Sequence, residues 1–512
     1  MKLFSALPLV SSLALTPLVL SAPAMAEADL TRTGGTLGDQ IQYHLVGDPG
    51  QAYIFVPATS TGPTPLAILD PGDPRVADVG LELINFIKFG PLDAQGEKTL
   101  TFALPASPGL AGLVVHSQMF TAPGAVTLVD ELSLVNSVTL GASGDSYESI
   151  GGLPQSQAGF GAAALQDGRV ALGGGAIPNA TGGTVATAAV RVFDGQTQGF
   201  EGAGVLPFQV INPAATTLAD GRVLFTGGID DTNLVLNRAA IWDPATQSSV
   251  EVGTMSTPRV QHTATLLADG RVFVTGGTSS VNATDPLASL NNILATSEIF
   301  DPTSGGWTPA ASLPDPRIGH GATLLPSGRV LITGGLEVDF FFFPLPAIVN
   351  TARRYDPNTN QMLGAASFSG SRALHGQLTL SDGRAIVVGG ADGDVLTQNF
   401  FSVATVRTYN ETTNSWTNQP SLPEVRTFPN LVEANGNVHV LSGLSTIDVL
   451  SLTGTPVTGI ARASLANLTW ATVGALTGGR PLSQAHPVDG GDRVVVLGPK
   501  DATDLSADVY IP

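Results

Sequence analysis

The residues most able to do chemistry in this chain are arginines and histidines that recur with one spacing. Three times an Arg is followed three residues later by a His, and two further arginines stand at similar points further along. The guanidinium group of Arg offers planar, bidentate donors to a carboxylate. If these side chains lie close together in the fold, their recurrence predicts a basic ring that binds a ligand. The alternative is that each Arg is bonded to a neighbouring carbonyl or carboxylate and stabilises the fold. The candidate ligand-binding residues are Arg259, His262, Arg317, His320, Arg372, His375, Arg426 and Arg480.

No complete catalytic set accompanies these residues. The sequence has no cysteine, which excludes disulfides, thiolate metal sites and cysteine nucleophiles. The Gly-x-Ser-x-Gly signature of serine hydrolases is also absent. Loop carboxylates could act in pairs in a lyase or an epimerase, although acids in loops are usually only solvated. We therefore expect a binding role rather than catalysis, with no catalytic residue and no cofactor. The loop acids are Asp230, Asp231, Asp339, Asp392 and Asp394.

Charge and composition limit the classes of partner. The chain carries 42 acidic and 23 basic residues, a formal net charge of −19. An acidic surface repels phosphate backbones and anionic lipid headgroups, so we expect no nucleic-acid partner. The content of 60 Gly and 36 Pro in 512 residues, with 43% hydrophobic residues, is typical of a globular protein rich in turns and strands.

The first 26 residues have the pattern of a signal peptide. Lys2 is followed by an apolar stretch from Leu3 to Leu20, and Ala24 and Ala26 supply small residues before a cleavage point. The alternative is a membrane anchor. No later stretch is long and apolar enough to span a bilayer. The sequence therefore predicts a secreted protein without a transmembrane segment.

Internal repeats dominate the rest of the chain. The segment Ala268–Gly277, with the sequence Ala-Asp-Gly-Arg-Val-Phe-Val-Thr-Gly-Gly, has clear counterparts elsewhere and three weaker ones. Seven copies about 50 residues apart match the period of one family of repeats. Aligned on the first residue of the Gly-Gly doublet, repeats 1 to 7 are marked by Gly174, Gly227, Gly276, Gly334, Gly389, Ser442 and Gly498.

Each repeat predicts four short strands. In repeat 3, Asp269-Gly270 after the first strand predicts a tight type I′ hairpin turn. The second strand, Val272 to Thr275, is apolar without alternation, as in a strand covered on both faces. A variable loop leads to the third strand, and Asp301-Pro302 closes it. The fourth strand follows, with Trp307 in this repeat.

Together these motifs resemble kelch repeats. The shared features are Arg-x-x-His, Asp-Gly-Arg, the Gly-Gly doublet and the aromatic-Asp-Pro turn, over about residues 143 to 512. The resemblance implies a β-propeller of the class that includes the central domain of galactose oxidase-like proteins. Copper-radical oxidation in that class uses a Tyr cross-linked to a Cys. Because the sequence has no cysteine, that cofactor cannot form.

The ends of the chain predict how the ring closes. Repeat 7 ends at Pro512 after its third strand, and its fourth strand is missing. Residues 145–152 resemble the fourth-strand segment of repeat 3. We therefore predict that they complete the last blade and remove an exposed sheet edge. The expected architecture is all-β: a β-sandwich over residues 27–141 followed by a seven-bladed propeller over residues 142–512.

In this topology the candidate arginines and histidines stand at the start of the innermost strands, around the mouth of the central channel. The three histidines come from three separate repeats, too far apart to share a metal at the 2.0–2.1 Å that zinc needs. We expect them to pack between blades with one hydrogen bond each. Variable loops on the same face are suited to carry specificity. One of them contains Phe340 to Phe343, which could cap the channel, pack internally or form a docking patch.

The sequence leaves three functions open. The leading hypothesis is a secreted binding protein that recognises a glycan or a protein ligand at the propeller mouth. The first alternative is a carbohydrate-active enzyme that uses mouth-loop acids and arginines. The second alternative is a structural protein of the cell surface or matrix.

Overall fold

The computed structural model is almost entirely antiparallel β-structure, which confirms the all-β prediction. Short 3-10 turns lie at Ile84–Phe86, Leu290–Asn292 and Asp489–Gly491. The predicted signal peptide and Phe340 to Phe343 lie outside the described residues. The structure describes residues 28–34, 40–60, 64–65, 76–77, 79–105, 110, 113–122, 133, 136–140, 146–150, 157–179, 184–195, 199–282, 289–339, 345–394, 399–447, 454–476, 478–480, 483–500 and 507–511.

Repeats 1 to 6 each form one antiparallel sheet of four strands, and these are called sheets 1 to 6. Within each sheet the strands are paired in chain order. The strands of sheet 1 are Gly161–Ala164, Val170–Gly173, Ala189–Asp194 and Gly199–Val205. Those of sheet 2 are Ala214–Thr217, Val223–Thr226, Ala239–Asp243 and Ser248–Glu251. Those of sheet 3 are Thr263–Leu266, Val272–Thr275, Ser297–Asp301 and Gly306–Ala310. The strands of sheet 4 are Gly321–Leu324, Val330–Thr333, Ala352–Asp356 and Gln361–Ala365. Those of sheet 5 are Gly376–Thr379, Ala385–Val388, Val406–Asn410 and Ser415–Gln419. Those of sheet 6 are Asn430–Ala434, Asn437–Leu441, Gly459–Ser464 and Trp470–Ala475.

The last repeat shares its sheet with strands from the N-terminal part of the chain. Ser146–Ile150 pairs antiparallel with Ala507–Ile511, with Ser146 opposite Ile511 and Ile150 opposite Ala507. This sheet, called sheet 7, therefore receives its fourth strand from a segment that precedes repeat 1. Its strands in spatial order are Gln484–Val488, Arg493–Leu497, Ala507–Ile511, Ser146–Ile150, Asn136–Thr139, Val114–Ala122, Ala52–Ala58 and Lys88–Pro91.

The first strands of sheets 1 to 7 contact one another in chain order, and the first strand of sheet 7 contacts that of sheet 1. Side chains bond across these contacts. The Thr217 hydroxyl donates to the Ala164 carbonyl at 2.6 Å, and the Thr379 hydroxyl donates to the Leu324 carbonyl at 2.7 Å. Gln484 Nε2 donates to a carbonyl of the first repeat at 2.7 Å. These bonds satisfy backbone carbonyls at the inner edges of sheets 1 and 4.

The second strands form the buried layer of each sheet. All four residues of Val272–Thr275 are buried, which confirms the prediction of a strand covered on both faces. The covering comes from the neighbouring sheets: the Phe273 ring stacks on the ring of Tyr355 in sheet 4 with centroids 4.1 Å apart. Apolar burial between sheets is therefore the main force that holds adjacent repeats together.

The hairpin after the first strand of repeat 3 differs from the predicted turn type. At the turn of repeat 3 only Gly270 has a positive φ, of 87°, and Asp269 does not. The Leu267 amide donates to the Arg271 carbonyl at 2.8 Å, and the Gly270 amide donates to the Leu267 carbonyl at 3.0 Å. A type I′ turn needs positive φ at both central residues, so that prediction is wrong. This is a type I turn followed by a glycine bulge, and Asp269 Oδ1 stabilises it by accepting from the Arg271 amide at 3.1 Å.

Small extra hairpins extend from the loops that follow several second strands. They lie at the end of the sheet where the first strand begins, because the first two strands run antiparallel. The hairpin of repeat 4 also pairs with Arg317–Ile318. The hairpin strands are Ala176–Pro178 with Thr184–Ala186, Leu336–Asp339 with Leu345–Ile348, and Ala391–Asp394 with Asn399–Ser402.

The N-terminal region forms a second layer against the outer half of sheet 7. Leu45 of the three-stranded sheet and Phe55 of sheet 7 are both fully buried in one shared apolar cluster. The Tyr43 and Phe55 rings in that cluster have centroids 4.5 Å apart. The three-stranded sheet comprises Asp29–Gly34, Gln40–Val46 and Glu97–Ala103, and a further strand pair comprises Thr64–Pro65 and Val76–Ala77.

Candidate functional site

The five candidate arginines lie at equivalent positions just before the first strands, and all five side chains are buried. Their exposure is at most 1%, so the described residues do not form a funnel of exposed guanidinium groups. That part of the sequence interpretation is corrected by the burial. Direct contact between a ligand and any of these side chains stays a prediction. The arginines are Arg259, Arg317, Arg372, Arg426 and Arg480.

Each of these side chains is bonded to the doublet of its own repeat. Arg259 Nη1 donates to the Gly276 carbonyl at 3.1 Å, and Arg317 Nη1 donates to the Gly334 carbonyl at 3.1 Å. Arg480 donates to Gly498 in the same way. The guanidinium therefore stabilises the point where the second strand ends and the variable loop begins. The equivalent carbonyls for Arg372 and Arg426 are those of Gly389 and Ser442.

The backbone of Arg259, Arg317, Arg372 and Arg426 is bonded to the preceding repeat. The amide of Gly228, in repeat 2, donates to the Arg259 carbonyl at 3.0 Å, and the amide of Gly277, in repeat 3, donates to the Arg317 carbonyl at 3.0 Å. One residue thus ties two adjacent sheets, with its carbonyl on one side and its guanidinium on the other. We call this position the latch.

Two further latch residues are not arginines, and the sequence analysis missed them. In repeat 1, Gln157 is fully buried and its Nε2 donates to the Gly174 carbonyl. In repeat 2, the Val210 carbonyl accepts from the Gly175 amide at 2.6 Å. The signal that could have found both is their position, since each stands 17 residues before the first glycine of its doublet, as Arg259 does.

Carboxylates neutralise most of the buried guanidinium groups. Arg259 Nη2 lies 2.8 Å from Glu298, and Arg480 Nε lies 2.9 Å from Asp508. Glu337 pairs with Arg317. Burial raises the pKa of the Glu337 carboxyl, and the positive charge of Arg317 opposes that rise. Arg426 has a more exposed partner in Glu424. Burial lowers the pKa of the Arg426 guanidinium to about 10.

The three histidines pack against the preceding repeat. His262 Nε2 lies 2.9 Å from the Thr226 hydroxyl, and His375 Nε2 lies 2.9 Å from the Thr333 hydroxyl. His320 Nε2 lies 3.0 Å from the hydroxyl of Thr263, which begins the first strand of sheet 3. Burial lowers the pKa of His262 and His320 to about 3 and that of His375 to about 4, so all three are neutral near pH 7.

The first glycine of the doublet in repeats 2, 3 and 4 leaves room for these rings. A Cβ added to Gly276 would lie 2.6 Å from His320 Cε1 and 2.7 Å from the Arg317 carbonyl oxygen. Gly276 also has a φ of 66°, which a larger side chain disfavours. The Gly-Gly doublet and the Arg-x-x-His motif of the next repeat are therefore two halves of one contact.

The residue two positions after each latch stands at the mouth of the ring, and the structure describes six of these residues. These six residues all have φ between 53° and 65°, and we call them the rim. Backbone bonds connect them: the Asn212 amide donates to the Gly159 carbonyl at 2.6 Å, and the Phe428 amide donates to the Leu374 carbonyl at 2.8 Å. The rim residues are Gly159, Asn212, Gln261, Gly319, Leu374 and Phe428.

The mouth loops of repeats 3 to 6 carry an apolar layer of their own. Ile293, Leu336 and Ala373 belong to one buried cluster that draws on repeats 3, 4 and 5. Phe400 packs against this cluster and against a second one that contains Leu444 of repeat 6. These loops are thus rigidly supported on one side of the mouth.

Two of the loop acids named in the sequence analysis, Asp230 and Asp392, accept hydrogen bonds from groups close to them. Asp230 Oδ1 accepts from the Thr232 amide at 2.8 Å and from the Leu234 amide at 3.0 Å. Asp392 Oδ1 accepts from the Ser371 hydroxyl at 2.8 Å. In the part of the chain that the structure describes, no group of three or more His, Asp or Glu side chains is arranged to hold a metal ion.

Curated proteins match this chain over less than a third of its length. Kelch-like protein 36 from Rattus norvegicus and from Mus musculus is 24% identical to this chain over 155 residues. The match covers 30% of this chain and 24% of the relative, so the chain spans about a quarter of the length of the curated relatives it matches. No protein-family model matches the chain.

Among solved structures, a fungal alcohol oxidase of the AA5 family, described in complex with copper, is similar over 71% of this chain and 75% of its own. Its TM-score is 0.54 and its sequence identity is 15%. YjhT has a TM-score of 0.45, with 15% identity over 62% of this chain and 99% of its own. The chain therefore has a kelch-type, galactose oxidase-like propeller fold. Among the described residues, no helix has the length and apolar character to cross a membrane.

Proposed function

We propose that this chain is a secreted binding protein that recognises a glycan or a protein ligand at the mouth of a seven-bladed kelch propeller. The observation that carries the proposal is the latch. The latches Arg259, Arg317, Arg372 and Arg426 each tie two sheets and support the loop that follows the doublet, so buried polar contacts pre-organise this part of the mouth. A rigid scaffold that presents loops of different sequence is suited to specific binding.

Seven blades are supported by the continuous circuit of first strands. The contact between the first strands of sheets 7 and 1, together with the pairing of Ser146–Ile150 with Ala507–Ile511, favours a closed ring. The shared core of the three-stranded sheet and sheet 7 supports an N-terminal β-sandwich over residues 27–141. The signal peptide that the sequence predicts over residues 1–26 would direct secretion, and N-terminal sequencing of exported protein should then begin at Glu27.

Copper-radical oxidation does not fit the residues of this chain. The cross-linked cofactor of galactose oxidase-like enzymes needs a cysteine, and the sequence has none. The Nε2 atoms of His262, His320 and His375 each face a Thr hydroxyl of the preceding repeat instead of a shared point. We therefore derive no oxidation step for this protein.

A screen for ligands with a readout for turnover tests the proposal. The secreted protein is applied to arrays of oligosaccharides and of peptides, and every bound probe is then incubated with the protein and followed by mass spectrometry. Binding without turnover is expected. Turnover of a bound oligosaccharide would favour the alternative of a carbohydrate-active enzyme, and the absence of any binding would favour a structural role.

Direct ligand contact by the arginines is tested separately. The double variant Arg317→Ala, Arg372→Ala is compared with Arg222→Ala, Arg271→Ala, which removes two arginines from the hairpins at the opposite ends of the strands. If the first variant keeps its circular dichroism spectrum and its binding, the arginine side chains do not contact the ligand.

A further inference from the structure

The rim residues hold a strained backbone in four of the six described repeats. Asn212, Gln261, Leu374 and Phe428 have φ values of 53°, 55°, 56° and 55°. This left-handed region is disfavoured for side chains that carry a Cβ, and glycine adopts it freely. Repeats 1 and 4 have glycine here. The fold therefore tolerates glycine at the rim, and the other four repeats keep side chains that the backbone does not favour.

The two glycines make room for the side chain of the next rim residue. A Cβ added to Gly159 would lie 2.7 Å from Asn212 Oδ1, and a Cβ added to Gly319 would lie 2.8 Å from Leu374 Cδ2. The rim side chains of repeats 2 and 5 therefore lie over the glycines of repeats 1 and 4. Both are directed along the edge of the mouth.

The rim has a polar arc and an apolar arc. Asn212 and Gln261 are exposed, and among the described residues neither side chain has a hydrogen-bond partner. Leu374 and Phe428 are half-buried, and each packs against an apolar cluster of the mouth loops. Two free amides in adjacent repeats thus face a mouth whose other side is apolar.

None of these rim residues is charged, and the guanidinium groups of the latch are buried beneath them. An amide offers both donors and acceptors, which matches a hydroxyl group that does both. An apolar wall with a few well-placed polar groups is the usual composition of a small-molecule site. We propose that the rim binds a neutral saccharide, with its hydroxyls on Asn212 and Gln261 and a C–H face towards Leu374 and Phe428.

This inference rests on the proposed function, because it names the ligand class for the same mouth. Substitution by glycine separates recognition from folding. The double variant Asn212→Gly, Gln261→Gly removes both amides and relieves the backbone. The matched control is Asn435→Gly, Gln247→Gly, since those exposed residues also have positive φ, of 49° and 53°, in turns at the opposite ends of the strands.

Both variants and the wild-type protein are applied to an array of neutral and acidic oligosaccharides and peptides, and melting temperatures are measured in parallel. We expect wild-type binding to neutral oligosaccharides, at least a tenfold loss of affinity in the rim variant, and unchanged affinity in the control. The melting temperature of the rim variant should equal or exceed that of the wild type.

Binding to neutral oligosaccharides that survives the rim substitutions would overturn the rim assignment. Exclusive binding to acidic oligosaccharides or to peptides would overturn the neutral-saccharide class. Either result leaves the proposed binding function intact. A wild-type protein that binds no probe of any kind would overturn both proposals.

Discussion

At the scale of single residues, the latch arginine Arg259 is bonded through both terminal nitrogens of its guanidinium group, whereas its buried Nε has no hydrogen-bond partner among the described residues. Arg259 donates through its side chain to Gly276, Thr296 and Glu298, and its carbonyl accepts from the preceding repeat. A buried ion pair of this kind is costly to break, because the remaining charge is left in a medium that solvates it poorly. The surface arginines of the Asp-Gly-Arg hairpins have a different environment, since both partners are partly solvated.

The substitution Arg259→Met should lower the free energy of unfolding by about 3–5 kcal/mol, since it leaves Glu298 buried without its partner. The control Arg271→Met removes an exposed pair with Asp269 and should cost less than about 1 kcal/mol. Urea unfolding followed by tryptophan fluorescence measures both. An equal loss of unfolding free energy in the two variants would contradict the stabilising role of the latch arginine.

The buried histidines predict loss of stability in acid. Their folded pKa values, about 3 for His262 and His320 and about 4 for His375, lie below the ordinary value of 6.5. The unfolded chain therefore binds protons first, and stability that is complete above pH 6.5 falls as the pH drops towards the folded pKa values. At pH 5 each buried His should cost about 2 kcal/mol.

This pH dependence is tested with His262→Gln, which keeps a polar group near Thr226 and cannot titrate. The difference in unfolding free energy between pH 7 and pH 5 should shrink by about 2 kcal/mol relative to the wild type. The exposed His44 provides the control through His44→Gln. An unchanged difference in the His262 variant would mean that this ring is not neutral in the folded protein.

At the scale of elements, the doublet and the next first strand form one structural unit. In repeats 2, 3 and 4 a side chain at the first doublet position would collide with the His and the latch carbonyl of the following repeat, and its φ would be strained. The recurrence of the doublet thus reflects packing between repeats as much as a turn within one repeat. Glycines at open edge-strand positions have no such constraint.

The substitution Gly276→Ala should therefore destabilise the protein by more than about 2 kcal/mol, because the strain and the collision add. Gly364→Ala, at a position where an added Cβ meets nothing within 4 Å, should change stability by less than about 0.5 kcal/mol. Thermal unfolding of both variants gives the comparison. A small effect at Gly276 would show that the repeats can separate without cost.

At the scale of the whole molecule, sheet 7 joins three parts of the chain. It contains strands of repeat 7, the strand Ser146–Ile150 and strands of the N-terminal region. Stability of the ring and of the N-terminal layer should therefore be coupled, since the central strands of this sheet serve both.

A chain that ends at residue 506 should lose protection from hydrogen exchange in sheets 7 and 1 and in the N-terminal strands Val114–Ala122 and Ala52–Ala58. The missing strand Ala507–Ile511 lies between Arg493–Leu497 and Ser146–Ile150. The control chain ends at Ile511 and lacks only Pro512. Loss of protection confined to repeat 7 would contradict the coupling.

The sequence by itself determined the period, the phase of the doublets and the strands of each repeat, because these depend on local turn chemistry and on runs of apolar residues. It also indicated which polar residues recur at one position of the repeat, as Arg259 and His262 do. Only the tertiary structure decided where their side chains point: Arg259 turns inward because its partners are the carbonyl of Gly276 and the carboxylate of Glu298, 17 and 39 residues away. Gln157 and the rim residues were missed for the same reason. Their roles depend on the packing of neighbouring sheets, and the residue type at these positions changes from repeat to repeat although the spacing is kept.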